Sequence, residues 1–278
     1  MEKSVQRESM DDDLRNRLWS VLKIVVWDKY SRRDMMGYMP DDSRKLLDLV
    51  HSIWLHHFRQ PVDTIPDFGQ DYPKSAYQIL RDYFFEANWW QAYDFLEFVA
   101  KNIEEDWSDD LARGANLLLE AENAAYRFVG TEVVEITNEH EIAAVEDALE
   151  RAAKSVRQHL ARALGLLSDR KQPDYRNSIK ESISAVESLC QLISGIPKGT
   201  LGECLKVLKL KAPIHPALEA AFLKLYGYTS DAGGIRHALT EASEHPTFAD
   251  AKFMLVACSG CTSFLLGKAA ESGIKIKT

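Results

Sequence analysis

No tryptophan occurs after position 107, so the six indoles of this 278-residue chain all fall in its first part and the two ends differ in how they build a core. Cysteine is sparse as well. The four residues at 190, 204, 258 and 261 sit inside apolar helical patterns, which excludes a disulfide framework and suits a reducing compartment. Long hydrophobic runs are missing: stretches such as Phe253 to Cys258 and Leu22 to Trp27 are too short to cross a bilayer, and the acidic start lacks a signal-peptide pattern. A cytoplasmic protein without a membrane partner is expected. Metal and nucleotide motifs are incomplete. Cys258-Ser259-Gly260-Cys261 has no second close pair, and His51, His56 and His57 lack HExxH spacing. Pro197-Lys198-Gly199-Thr200 lacks the earlier glycine and the strand of a phosphate loop. Neither a metal nor a cofactor is expected.

What is present is helical periodicity and an uneven charge. Hydrophobic residues make up 46% and charged residues 27%, a soluble globular balance long enough for two modest domains. The net charge of -8 conceals two halves: residues 1–150 carry 16 Lys+Arg against 31 Asp+Glu, net -15, and residues 151–278 carry 18 against 11, net +7. A basic half attracts RNA where an acidic half repels it, although charge spread over helices also serves solvation alone.

Apolar stripes at helical spacing begin with Leu14, Leu18, Val21, Leu22 and Val25, and then Leu46, Leu49, Val50, Ile53 and Trp54, with Pro61 as a stop. Two aromatic-rich helices parted near Asn88 and a further helix from Leu111 follow. The aromatics read as core or as a ligand box. The period then changes: Tyr126–Val129 and Glu132–Ile136 around Gly130-Thr131 predict a β-hairpin, the one clear β signal. Asn138 with Glu141 starts a helix to about Ala152, and a helix from about Lys154 to Leu167 leads to a polar stretch ending at Pro173, read as a connector. The last part predicts a compact helical set with capping boxes at Thr200/Glu203 and Thr247/Asp250. The expected fold is mainly α: an N-terminal domain over 1–152 with a hairpin, a connecting helix and linker over 153–173, and a helical bundle over 174–278.

Gly233-Gly234-Ile235-Arg236-His237 holds the most suggestive chemistry. Arg offers phosphate a planar fork of donors, and His moves protons near neutrality, so the pair suits binding or cutting a phosphodiester. Two ordinary polar residues at a helix start are the other reading.

Several separated segments resemble a known family. Asp174-Tyr175-Arg176-Asn177-Ser178-Ile179-Lys180-Glu181, His215-Pro216-Ala217-Leu218, Tyr226-Gly227-Tyr228-Thr229-Ser230-Asp231 and Gly234-Ile235-Arg236-His237 look like the HEPN-type C-terminal domain of AbiJ-like abortive-infection proteins. Asp11-Asp12-Asp13-Leu14-Arg15 with its flanks, and the Tyr126–Ile136 segment, resemble an AbiJ N-terminal domain. The resemblance implies a HEPN-like bundle, a homodimer, RNA as partner, a phage-derived trigger or protein partner, and metal-independent endoribonuclease activity. Arg236, His237 and His245 are the implied catalytic set. Eight residues separate Arg236 from His245, and Glu241, Ala242 and Ser243 stand where the family places its second histidine. Lys206, Lys209 and Lys211 are candidate RNA-binding cations or a solvated helix end, and Glu187 is a candidate support for Arg236 or a solvated residue. The alternative is a non-catalytic HEPN-like module that binds RNA or dimerises.

Overall fold

The computed structural model describes residues 4–31, 39–69, 74–210, 213–230 and 246–276. It is 71% helical with a single two-stranded hairpin among the described residues, the mainly α fold that the periodicity predicts. Two compact units result, Met1–Thr137 and Asn138–Thr278.

The first unit contains α1 (Asp12–Val25), α2 (Asp41–Ser52), α3 (Ala76–Glu86), α4 (Trp89–Lys101), α5 (Glu105–Ala121), β1 (Arg127–Val129) and β2 (Glu132–Val134). α1, α3 and α4 begin where the sequence offers an acceptor. Asp11 takes the Leu14 N–H at 2.8 Å, Ser75 takes that of Gln78 at 3.1 Å, and Asn88 with Gln91 forms a capping box that parts α3 from α4. Leu14, Leu18, Trp19 and Leu22 bury one face of α1 against Phe84, Phe95, Leu111 and Leu119 in one continuous core. Each such side chain contributes about 1.5–3 kcal/mol by leaving water. Arg15 is buried in the same face, its guanidinium donating to the Phe84 carbonyl at 2.5 Å, and burial lowers its pKa from the ordinary value.

α2 does not run unbroken to Pro61. It passes into a π-helical turn at Ile53–Phe58 and stops at Arg59 in a left-handed conformation, φ 56°. The hairpin is antiparallel, with Phe128 opposite Val133 and Gly130 at φ 58° in the turn. Its strands are shorter than the alternating pattern suggests. Asn116 grips Phe128 at both its N–H (2.7 Å) and its carbonyl (3.0 Å), and Glu97 takes the Val133 N–H at 2.6 Å. Side chains from α4 and α5 thereby satisfy backbone groups that a two-stranded sheet leaves open.

The second unit contains α6 (Glu139–Arg151), α7 (Lys154–Ser168), α8 (Tyr175–Ser194), α9 (Leu201–Lys209), α10 (Pro216–Ser230) and α11 (Phe248–Glu271). α7 is a core helix rather than a connector. Val156, Leu160, Ala163 and Leu167 are buried along it, and Ser178 of α8 donates to the Ala163 carbonyl at 2.8 Å. α6 also belongs here, tied to α11 by Lys252–Glu141 at 3.0 Å and by the Ser263 hydroxyl on Asp147 at 2.6 Å. The change of unit therefore falls at 137/138, before the expected helix to 152. By length and composition α11 is apolar enough to cross a membrane, a point that its separate short apolar runs conceal. In this unit it buries Met254, Leu255, Cys258, Cys261 and Leu265 among its neighbouring helices.

Candidate functional site

Arg236, His237, His245 and Lys211 lie outside the described residues, but the frame on either side of 231–245 is defined. α10 ends at Ser230, and α11 begins at Phe248 after Thr247 caps it. The Thr247 hydroxyl donates to Asp250 at 2.7 Å and the Thr247 N–H does so at 2.8 Å, and these bonds lower the Asp250 pKa. The Phe248 ring meets Tyr175, at the start of α8, edge-on at 6.1 Å. The chain thus returns from 231–245 beside the first turn of α8, where Asp174 caps Asn177 at 3.0 Å. Of the two caps at this corner, that of Thr247 with Asp250 is the one its spacing predicts.

The remaining nominated residues are spread out. Lys206 and Lys209 share α9, one turn apart. Lys209 is engaged by Glu219 of α10, which ties the two helices together and neutralises the cation. Lys206 is exposed near Glu203, whose pKa is lowered first by the Thr200 N–H and hydroxyl and to a smaller degree by Lys206. Glu187 is half-buried on α8. It stands twelve residues beyond Tyr175, roughly 18 Å along the helix axis.

An Arg–His–Glu group that the sequence reading passed over lies across α7 and α8. His159 Nδ1 is 2.6 Å from Glu181 Oε2, and Arg162 Nε is 3.5 Å from Glu181 Oε1. Glu181 is mostly buried, His159 is half-buried and Arg162 is largely open to solvent. A carboxylate that fixes one ring nitrogen leaves the other facing outward, an arrangement suited to proton transfer or to a phosphate contact. The available signal was the three-residue spacing of His159 and Arg162, which puts both on one face of α7. Glu181, however, comes from another helix, and only the register of the pair brings it in.

Other clusters have structural partners. Cys258 and Cys261 are buried in α11, and burial pushes the first thiol well up and the second to about 12, so both stay protonated near neutrality. Asp11, Asp13 and Glu122 bring carboxylate oxygens within 4.8 Å of one another. Arg17 pairs with Glu122 at 3.0 Å and Asp11 caps α1, which accounts for two of the three. Most of the first unit's aromatics are core: Trp19 alone meets Trp27, Tyr77, Phe84 and Phe85 at 5.4–6.1 Å. His57 joins this packing, bonded to the Tyr83 hydroxyl at 2.9 Å and edge-on to Phe95.

Among the described residues the chain is a mainly α protein of two compact units, the first with an aromatic core and a two-stranded hairpin. The family model AbiJ N-terminal domain 4 matches residues 1–151, and the chain belongs to that family. The match covers the first unit and α6. It supports an abortive-infection, defence-related role. No curated protein and no solved structure matches the chain.

Proposed function

We propose that this protein is a bacterial anti-phage toxin whose second, HEPN-like unit cleaves RNA without a metal while the first unit senses infection. The observation that carries this reading is Arg236-His237 in the connection between α10 and α11, within a chain whose first half is an AbiJ domain. The required steps are deprotonation of a 2′-hydroxyl, charge stabilisation on the phosphorane and protonation of the leaving 5′-oxygen. Arg236 stabilises the charge, and His237 and His245 move the protons. A homodimer doubles the set, and Lys206 and Lys211 hold the RNA backbone. Lys209 contributes less because Glu219 already answers its charge.

The departure at Glu241, Ala242 and Ser243 favours one second reading, a non-catalytic RNA-binding member. Purified protein incubated with total RNA in chelator separates the two. Cleavage lost in both Arg236→Ala and His237→Ala supports the nuclease. Gel-shift binding without cleavage supports the second reading. A His159→Ala arm controls for the α7–α8 group: loss there, with Arg236→Ala still active, moves the chemistry to that face.

A further inference from the structure

The His159–Glu181–Arg162 group belongs to a longer polar seam between α7 and α8. Successive contacts pair Ser155 with Ser188 at 2.9 Å, His159 with Glu181 at 2.6 Å and the Ser178 hydroxyl with the Ala163 carbonyl at 2.8 Å, so the two helices run antiparallel. Ser155, His159 and Arg162 follow one another at four- and three-residue steps and share one face of α7. The step from Ser155 to Arg162 spans roughly 10 Å of helix axis. The seam is graded in depth. Side-chain exposure rises from 17% at Glu181 through 39% at His159 to 72% at Arg162, so the carboxylate lies lowest and an incoming group meets the ring and the guanidinium. Lys154 and Lys180, each next in sequence to a seam residue, are exposed, and α7 carries Lys154, Arg157 and Arg162 without an acidic residue.

Glu181 decides what each of its partners offers. Its Oε2 accepts from His159 Nδ1, so in the neutral ring Nε2 keeps its lone pair and is an acceptor. Its Oε1 lies 3.5 Å from Arg162 Nε, a looser ion pair that leaves the terminal amino groups of an exposed side chain for a ligand. One carboxylate supports both groups, and an acceptor therefore stands beside a cationic fork. That combination matches a hydroxyl next to an anion. A ribonucleotide carries such a pair in its 2′-hydroxyl and the adjoining 3′-phosphate.

We propose that this seam is a backbone-binding track for single-stranded RNA. The 2′-hydroxyl donates to His159 Nε2, the adjoining phosphate takes the Arg162 fork, and the Ser155 and Ser188 hydroxyls donate to a neighbouring phosphate on the Lys154 side. These contacts read sugar and phosphate, so binding is indifferent to base sequence. Other ligand chemistries fit less well. An acidic peptide answers Arg162 but brings no donor for Nε2, DNA lacks the hydroxyl, and a divalent cation meets Arg162 and must displace the Nδ1 hydrogen. The assignment rests on RNA as the substrate and adds where its backbone lies, leaving the cleavage chemistry with Arg236 and His237.

The test is fluorescence anisotropy in chelator with a short single-stranded RNA, the DNA of the same sequence and the RNA methylated at every 2′-oxygen. Both the unmutated full chain and Arg236→Ala, in which the probe stays whole, serve as parents. RNA binds at least about threefold more tightly than either control, the scale of one net hydrogen bond. His159→Phe erases that preference and retains DNA binding. Arg162→Gln, a change at an exposed position checked by circular dichroism, weakens RNA and DNA alike by about threefold to tenfold. It also flattens the slope of log affinity on log salt by about 0.7, the share of one phosphate on a single strand. The proposal is overturned if RNA does not bind, if all three probes bind alike, if His159→Phe keeps the preference, or if Arg162→Gln keeps the parent's salt slope. Binding with this preference but no cleavage by the unmutated chain defeats the nuclease reading alone. Cleavage that depends on Arg236, with both seam variants binding as their parent does, overturns the track alone.

Discussion

A histidine becomes useful for chemistry when a neighbour fixes one nitrogen and solvent reaches the other, and the described histidines divide on that basis. His57 is packed among rings, His51 bonds the Leu47 carbonyl within its own helix at 2.8 Å, and His215 accepts the Ala217 N–H at 3.2 Å at the start of α10. His159 has a carboxylate partner, Glu181, at 2.6 Å. At the same scale, the buried thiols yield a direct expectation. Cys258 and Cys261 remain unlabelled by a thiol reagent at pH 8 in the native protein and label fully in denaturant, as read by peptide mass spectrometry. Asp250 yields another. Its folded-state pKa is depressed below the ordinary 3.8 by Thr247, so its contribution to stability is present above that value and is lost as pH falls through the folded pKa. Asp250→Asn therefore lowers the melting temperature at pH 7, and the difference narrows towards pH 3. Equal differences at both pH values would contradict the assignment.

Among elements, the hairpin shows how side chains from helices complete a marginal sheet. Two three-residue strands are too few for independent stability. Asn116→Leu strips both partners from Phe128 and costs about 1–3 kcal/mol, measured by denaturant unfolding. Loss of under about 0.5 kcal/mol would show that these bonds are replaceable. Helix starts were readable because a cap is a local event. Thr200, Thr247 and Asn138 each sit three residues from the group they serve, and each caps as its sequence indicates. The π-helical turn after Ser52 was not readable, since no glycine or proline stands at Ile53–Phe58 to mark it. The part played by α7 was hidden too. A polar stretch ending at Pro173 marks a turn equally well within a bundle or between domains, and only the buried row from Val156 to Leu167 decides. The Arg–His–Glu group shares this limit, because it is assembled across two helices.

Over the whole molecule, the charge division and the packing division nearly coincide: the acidic part is mostly the first unit, and the basic part lies within the second. A fragment spanning 138–278 is expected to unfold cooperatively in thermal circular dichroism. A fragment starting at 174 lacks α6 and α7, exposes the apolar faces of α8 and α11, and loses that transition. A cooperative melt from the shorter fragment would contradict the packing role given to these helices. The AbiJ resemblance rests on segments in both halves, and the family match over 1–151 bears out its N-terminal part. The most direct test of the central claim is the chemistry of the RNA ends formed in chelator. Attack by a 2′-hydroxyl leaves a 2′,3′-cyclic phosphate on one fragment and a 5′-hydroxyl on the other, and the account predicts both, lost together in Arg236→Ala. Ends bearing 3′-hydroxyl and 5′-phosphate, or intact RNA throughout, would contradict it.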